Sequence, residues 1–288
     1  MLNKIGWGMV LLIVVALGGA WFFQKYQIVS RPQALDSAAV APAENNIATP
    51  TSTEQIALAP LDAVIQFASL DMSEETASGT IRAFYPQIIN PATDGQKKFN
   101  DTIKAMVENF VAQFKKESLS AIDISGAKNS FTWAYDLKYQ DKNLISVLMS
   151  GEQYISGSAH PSHPMTVLNF DLTTGKIITL ADIFQPEAKY LDTLSNFSRQ
   201  ELETRNAKSK FTDEKDILSG TKPKDENFAM FNLSADGLVI SFPEYQVAPY
   251  VAGISVVTMP WSGLKDILAD KAPFKWFASS TSSPVSNN

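Results

Sequence analysis

From Ile5 to Phe23 the chain runs without a charged residue, through Met9-Val10-Leu11-Leu12-Ile13-Val14-Val15-Ala16-Leu17. At about 1.5 Å per residue a helix over this run is about 28 Å long, close to the roughly 30 Å hydrocarbon core of a bilayer. Trp7 lies near one end, and Trp21, Phe22, Phe23 and Tyr26 near the other, as interfacial anchoring requires. The expectation is an N-terminal transmembrane helix within residues 1–26, an anchor or uncleaved signal. The alternative is secretion after cleavage near Ala20, where Gly18 and Ala20 supply small residues. Lys4 on one side and Lys25 and Arg31 on the other leave orientation to the secretory default, which sends the C-terminal part outward.

Residues 27–60 turn to Ala, Pro, Ser, Thr and Asn, the composition of a flexible tether with a root-mean-square reach on the order of 30 Å. Residues 278–288 form a second such segment, rich in Ser and Asn. Between them lies the folding part of the chain, read as two halves, 61–180 and 181–277. The whole chain carries 24 basic and 30 acidic residues, for a net charge of −6. Tether and tail barely alter that balance. It argues against nucleic acid as a partner and leaves a basic one open.

Periodicity predicts mixed structure. Phe99, Ile103, Met106, Val107, Phe110, Val111 and Phe114 recur at helical spacing, with Lys104, Glu108, Lys115 and Lys116 on the opposite face. Phe131, Trp133, Tyr135, Leu137 and Tyr139 then alternate with Thr132, Ala134, Asp136 and Lys138, the pattern of a half-buried strand. Asp141-Lys142-Asn143 turns it into a partner over Leu144 to Ile155. Met165 to Leu172 and Ile177 to Leu180 read as further strands around the Thr173-Thr174-Gly175-Lys176 turn. A helix follows from Tyr190 to about Asn206, then a charged loop with short helix from Ala207 to Asn227. Phe228 to Leu233 and Leu238 to Phe242 form a hairpin, and Gly253 to Met259 another strand. A closing helix starts at Pro260-Trp261-Ser262, burying Leu264, Ile267 and Leu268. The fold class expected is α+β, with helices packed on antiparallel sheets of hairpin-connected strands.

Chemistry-bearing motifs are sparse. There is no cysteine, and the only two histidines, His160 and His163, share the segment Gly157-Ser158-Ala159-His160-Pro161-Ser162-His163-Pro164. Pro161 and Pro164 prevent the helix that an HxxH zinc site uses, so no metal is expected and the segment reads as a loop of Gly and Pro turns or a recognition loop. Phosphate loops and dinucleotide fingerprints are absent, so no cofactor is expected, and no catalytic residue is assigned. In Phe242-Pro243-Glu244-Tyr245-Gln246-Val247-Ala248-Pro249-Tyr250, the rings of Tyr245 and Tyr250 either pack a sheet edge or face a ligand.

Three stretches together resemble a known family. They are Tyr154-Ile155-Ser156-Gly157-Ser158-Ala159-His160-Pro161, Asn169-Phe170-Asp171-Leu172-Thr173-Thr174-Gly175-Lys176 and Leu180-Ala181-Asp182-Ile183-Phe184. The family is the one shared by RsiV-type lysozyme-sensing anti-sigma factors and the N-terminal region of PdaC-type peptidoglycan deacetylases. Tyr85-Pro86-Gln87-Ile88, Asp236-Gly237-Leu238 and the Phe242 to Tyr250 stretch extend the likeness over about Leu61 to Leu268.

The resemblance implies a periplasmic domain tethered to the bacterial inner membrane; the expectation from this sequence is that it carries neither the deacetylase catalytic domain nor a cytoplasmic sigma-binding segment. It also implies a partner that is a basic protein such as lysozyme, or peptidoglycan. The ligand-binding candidates are Tyr154, Ser156, Gly157, His160, His163, Tyr245 and Tyr250. An envelope-modifying enzyme using His160 or His163 as general base, and a scaffold protein, stay open as alternatives.

Overall fold

The computed structural model describes residues 65–121, 126–210, 212–271, 274 and 277. The anchor, tether and tail expected at 1–26, 27–60 and 278–288 lie outside the described residues. Among the described residues no helix is long and apolar enough to cross a membrane.

The first sheet has strands β1 (Phe67–Asp71), β2 (Glu74–Glu75), β3 (Gly79–Ile88), β4 (Asn129–Gln140), β5 (Leu144–Tyr154), β6 (Met165–Asp171) and β7 (Lys176–Ile177). Its order is β1-β3-β4-β5-β6-β7, with β2 also paired to β3. Helix α1 (Asp94–Leu119) connects β3 to β4. The helix starts at a capping box, in which the Thr93 hydroxyl accepts from the Gln96 amide and the Gln96 side chain accepts from the Thr93 amide. Phe99, Ile103, Val107, Val111 and Phe114 form its buried stripe, lying with Ile81, Ala83, Phe131, Trp133, Ile145, Val147, Leu168 and Phe170 in one core. A Cβ on Gly95 would lie 1.8 Å from the carbonyl oxygen of Leu172, so the first turn of α1 approaches the end of β6 at a distance only glycine permits.

The second half holds α2 (Leu180–Ile183), α3 (Tyr190–Ser209), α4 (Glu214–Gly220) and a three-stranded sheet of β8 (Phe231–Leu233), β9 (Gly237–Phe242) and β10 (Ser255–Pro260), ordered β10-β9-β8. Its core gathers Leu194, Leu202, Phe228, Leu238, Ile240, Phe242, Val257 and Trp261, and it includes Leu144 from β5. Alternation along β5 explains this sharing. Ile145 and Val147 belong to the first core, whereas Leu144 and Ser146 turn to the opposite face, where the second half packs.

A buried polar network marks that seam. The Ser146 hydroxyl donates to Asn169 Oδ1 at 2.6 Å and accepts from Asn232 Nδ2 at 2.9 Å and the Leu233 amide at 3.0 Å. Asn169 Nδ2 donates to the Phe231 carbonyl at 2.8 Å. One donated and two accepted bonds use the full capacity of a hydroxyl.

The α+β class holds, with four departures among the elements that the sequence reading placed. First, β3 and β4 are parallel while the other strand pairs are antiparallel, because the α1 crossover returns the chain to the end from which β3 began. Second, the strand expected at Ile177 to Leu180 stops at Ile177. Asp182 Oδ2 accepts from the Thr179 amide and hydroxyl, which starts α2 at Leu180. Third, the strand expected from Phe228 begins at Phe231, since Asp225–Phe228 forms a 3₁₀ turn. Fourth, the closing helix is one 3₁₀ turn, Trp261–Gly263. Trp261 Nε1 donates to the Ser234 carbonyl, and the chain then leaves to make a bridge between Leu268 and Phe184. Leu264 and Leu268 are still buried, as their spacing suggested.

Phe99, on the inner face of α1, is fully buried, so Phe99→Ala is expected to lower unfolding free energy by about 3–5 kcal/mol in denaturant titration. Leu119→Ala, at an 82% exposed position, should change it by no more than about 0.5 kcal/mol.

Candidate functional site

Two loops, one from each half, meet at the seam. The first follows β5. The Ser158 amide donates to the Ile155 carbonyl across a turn with Gly157 at φ 89°, the arrangement of a type II turn with glycine at its third position. Gln153 and Ser162 then exchange two backbone hydrogen bonds at 2.8 Å, folding the segment back on β5. Asn129 Oδ1 accepts from the Ser156 amide at 2.7 Å and holds the base of the loop.

The second loop joins β9 to β10. The Tyr245 amide donates to the Ala248 carbonyl at 2.9 Å, with Tyr245 at φ 67°, a left-handed conformation that a tyrosine adopts only under constraint. The constraint comes from its neighbours. Gln246 Nε2 donates to the carbonyls of Gly220 and Asn227, each at 2.9 Å, while Val247 and Ala248 are buried. With the middle of the loop held this way, Glu244, Tyr245 and Tyr250 are directed to the other loop.

There His163 Nδ1 donates to Glu244 Oε1 at 2.7 Å, and its Nε2 lies 3.7 Å from Glu152 Oε2. The Tyr250 ring stacks on His163 at 5.7 Å and contacts His160 at 4.2 Å between ring centroids. The Tyr250 hydroxyl donates to the Pro161 carbonyl at 3.0 Å, and His160 Nδ1 donates to that same carbonyl at 2.6 Å. Because a carbonyl only accepts, the His160 proton is on Nδ1. Tyr245 extends the cluster outward, 5.9 Å from Tyr250 and 47% exposed.

Electrostatics follow from this packing. The hydrogen bond that His163 donates to Glu244 raises its pKa, burial opposes the rise, and the charges of Glu244 and Glu152 add to it. For Tyr250 burial is the leading cause of a raised pKa, followed by the charges of Glu244 and Glu152 and by Tyr245. The result is an imidazole ring between two carboxylates that favour its charged form, with the Tyr250 ring stacked on it. Among the described residues no group of three or more His, Cys, Asp or Glu is arranged to hold a metal ion.

The structure therefore brings together His160, His163, Tyr245 and Tyr250 from the sequence reading. Tyr154 ends β5 opposite Ser130 and takes no part in the ring contacts. Gly157 shapes the turn. Ser156 is buried at the loop base, its hydroxyl without a hydrogen-bond partner among the described residues. Glu152 and Glu244 were not anticipated. For Glu244 the signal was an acidic residue inside an aromatic stretch; Glu152 had none, since its partner is fixed only by the fold.

Comparison with known proteins bears on both loops. Residues 72–163 match the family model described as Deacetylase PdaC, and residues 181–262 match DUF3298, a protein family of unknown function. The chain is also 30% identical over 176 residues to the peptidoglycan-N-acetylmuramic acid deacetylase PdaC of Bacillus subtilis. This chain carries a PdaC/DUF3298-like domain. The alignment takes in 61% of this chain and only 37% of that relative's length.

Solved DUF3298 structures share the fold. One from Bacteroides fragilis matches with a TM-score of 0.52 at 18% identity, over 75% of this chain and 98% of that one. One from Pseudomonas aeruginosa PAO1 matches at 0.51 and 14%, over 73% and 96%. In the PdaC/DUF3298-like domain the site straddles the two models. Glu152, His160 and His163 lie in the first matched segment, and Glu244, Tyr245 and Tyr250 in the second.

Glu244→Gln is expected to move the His163 midpoint down toward the ordinary imidazole value of about 6.5, followed by NMR titration of the two histidine rings. A raised native pKa stabilises the fold below the unfolded-state value, and this contribution disappears as pH rises through the native one. The variant should therefore lose more stability at about pH 5.5 than at about pH 8.5.

Proposed function

We propose that this domain is a binding module of the bacterial cell envelope, tethered to the inner membrane by Ile5 to Phe23 with its folded part in the periplasm. It takes its ligand on the surface formed by His160, Tyr245 and Tyr250. The observation that carries the reading is Tyr245, a half-exposed aromatic residue kept in a left-handed backbone conformation beside a second tyrosine. Strain of this kind in an exposed residue is retained where the position of the side chain is used. Adjacent flat rings suit the apolar faces of sugar rings, which favours a peptidoglycan glycan; the enzyme named for the relative PdaC acts on that polymer.

A second ligand, a basic protein such as lysozyme, is favoured by the net charge of −6 and by the two carboxylates beside His163. Binding without catalysis fits the hydrogen bonding. Both His163 nitrogens face carboxylates, His160 Nδ1 is held by a backbone carbonyl, and neither ring is hydrogen-bonded to a hydroxyl nucleophile among the described residues.

Co-sedimentation with purified peptidoglycan and calorimetric titration with lysozyme, both at low salt, test the reading. One of the two should bind, and Tyr245→Ala should weaken that binding by roughly tenfold. No binding to either, or binding indifferent to Tyr245→Ala, overturns it.

A further inference from the structure

We infer that His163 is a proton-operated latch that pins the β9–β10 loop to the loop after β5 and loosens its hold on it as the surroundings become alkaline. The inference rests on reading Tyr245 and Tyr250 as ligand-binding residues, since they are what the latch holds. The geometry is that of a single ring spanning two halves of the fold. Glu244 comes from the β9–β10 loop and Glu152 from β5, and each faces a different nitrogen of His163. Only a doubly protonated ring can donate toward both carboxylates. Side-chain exposures of 28% for His163, 13% for Glu244 and 34% for Glu152 leave the group reachable by solvent protons yet partly shielded from screening.

The charged and titratable groups around the ring are few. Glu152 faces it from β5, Glu244 and Tyr250 from the β9–β10 loop, and His160 shares the Tyr250 ring from the loop after β5. Tyr245 lies one ring further out, against Tyr250. When His163 loses its second proton, the neutral ring keeps Nδ1–H on Glu244 and turns a lone pair to the Glu152 carboxylate. The bond to Glu244 loses its ion-pair attraction while keeping an anionic acceptor, and the two carboxylates flank an uncharged ring. The raised pKa agrees with this arrangement and places release on the alkaline side of the ordinary histidine range.

The loop's other fastenings determine which part loosens. Gln246, Val247 and Ala248 are anchored to α4, the 225–228 turn and the core, independently of His163. Glu244 on one side, with Tyr245 through its ring contact to Tyr250, and the turn at residues 250–253 on the other, depend on the seam contacts. Loosening is therefore expected at both ends of the loop, with its middle held.

Amide hydrogen exchange of the protein without ligand tests this. Protection at Tyr245, Ala252 and Gly253, normalised to the amides of β9, should fall roughly fivefold between about pH 5.5 and about pH 8.5. His163→Gln should show the low protection at both values. Glu244→Gln, which keeps the ring, should do the same and serves if the first variant folds poorly. Equal normalised protection at the two pH values, or a wild-type pH step surviving in both variants, overturns the latch. Because no ligand is present, such a failure leaves the binding reading standing, whereas a failure of the binding tests leaves the pH-dependent loosening standing and removes only its role in ligand binding.

Discussion

The hydroxyl of Ser146 is the point on which the two halves agree. It is fully buried, as are the Asn169 and Asn232 amides within 1%. Each polar atom left unpaired there would cost about 1–3 kcal/mol, against roughly 1 kcal/mol gained per bond made. The penalty therefore outweighs the gain and acts as a constraint on register. A shift of β8 along β5 and β6 would strand the Asn232 amide, the Leu233 amide and Asn169 together. Apolar packing alone would tolerate such a shift, because Leu144, Leu233 and Leu238 offer a smooth surface. Directional bonds do not.

Register at the seam is what makes the site possible. β5 runs from Ser146 to Glu152 and into the histidine loop, and the hairpin from β8 through β9 leads to Glu244. Fixing one end of these two packed segments fixes the distance at the other, where His163 meets a residue 81 positions away. The binding surface, the strained Tyr245 and the proton-sensitive ring are thus consequences of one polar contact made elsewhere in the same strands.

Much of this was legible in the sequence. The apolar stripe of α1 and the alternation of Phe131, Trp133 and Tyr135 are local patterns set by helix and strand geometry, and both elements form where expected. The histidine loop was legible as turns because glycine and proline restrict their own backbone. What was missed is non-local or weakly patterned. Phe67–Asp71 and Glu74–Glu75 are short and half polar, and become strands only because β3 offers an edge. The parallel pairing of β3 with β4 depends on where α1 returns the chain. Ser146, Asn169 and Asn232 look like ordinary polar interruptions of strands until the second half covers them. Glu152 looks like a solvated charge for the same reason.

The central claim is that the seam positions the site, and the titration of His163 in a Ser146→Val variant tests it most directly. If the account holds, losing the hydroxyl loosens the register of β8 and the His163 midpoint falls toward the ordinary imidazole value, about 6.5. A variant that is measurably less stable while His163 titrates as in the wild type would contradict it.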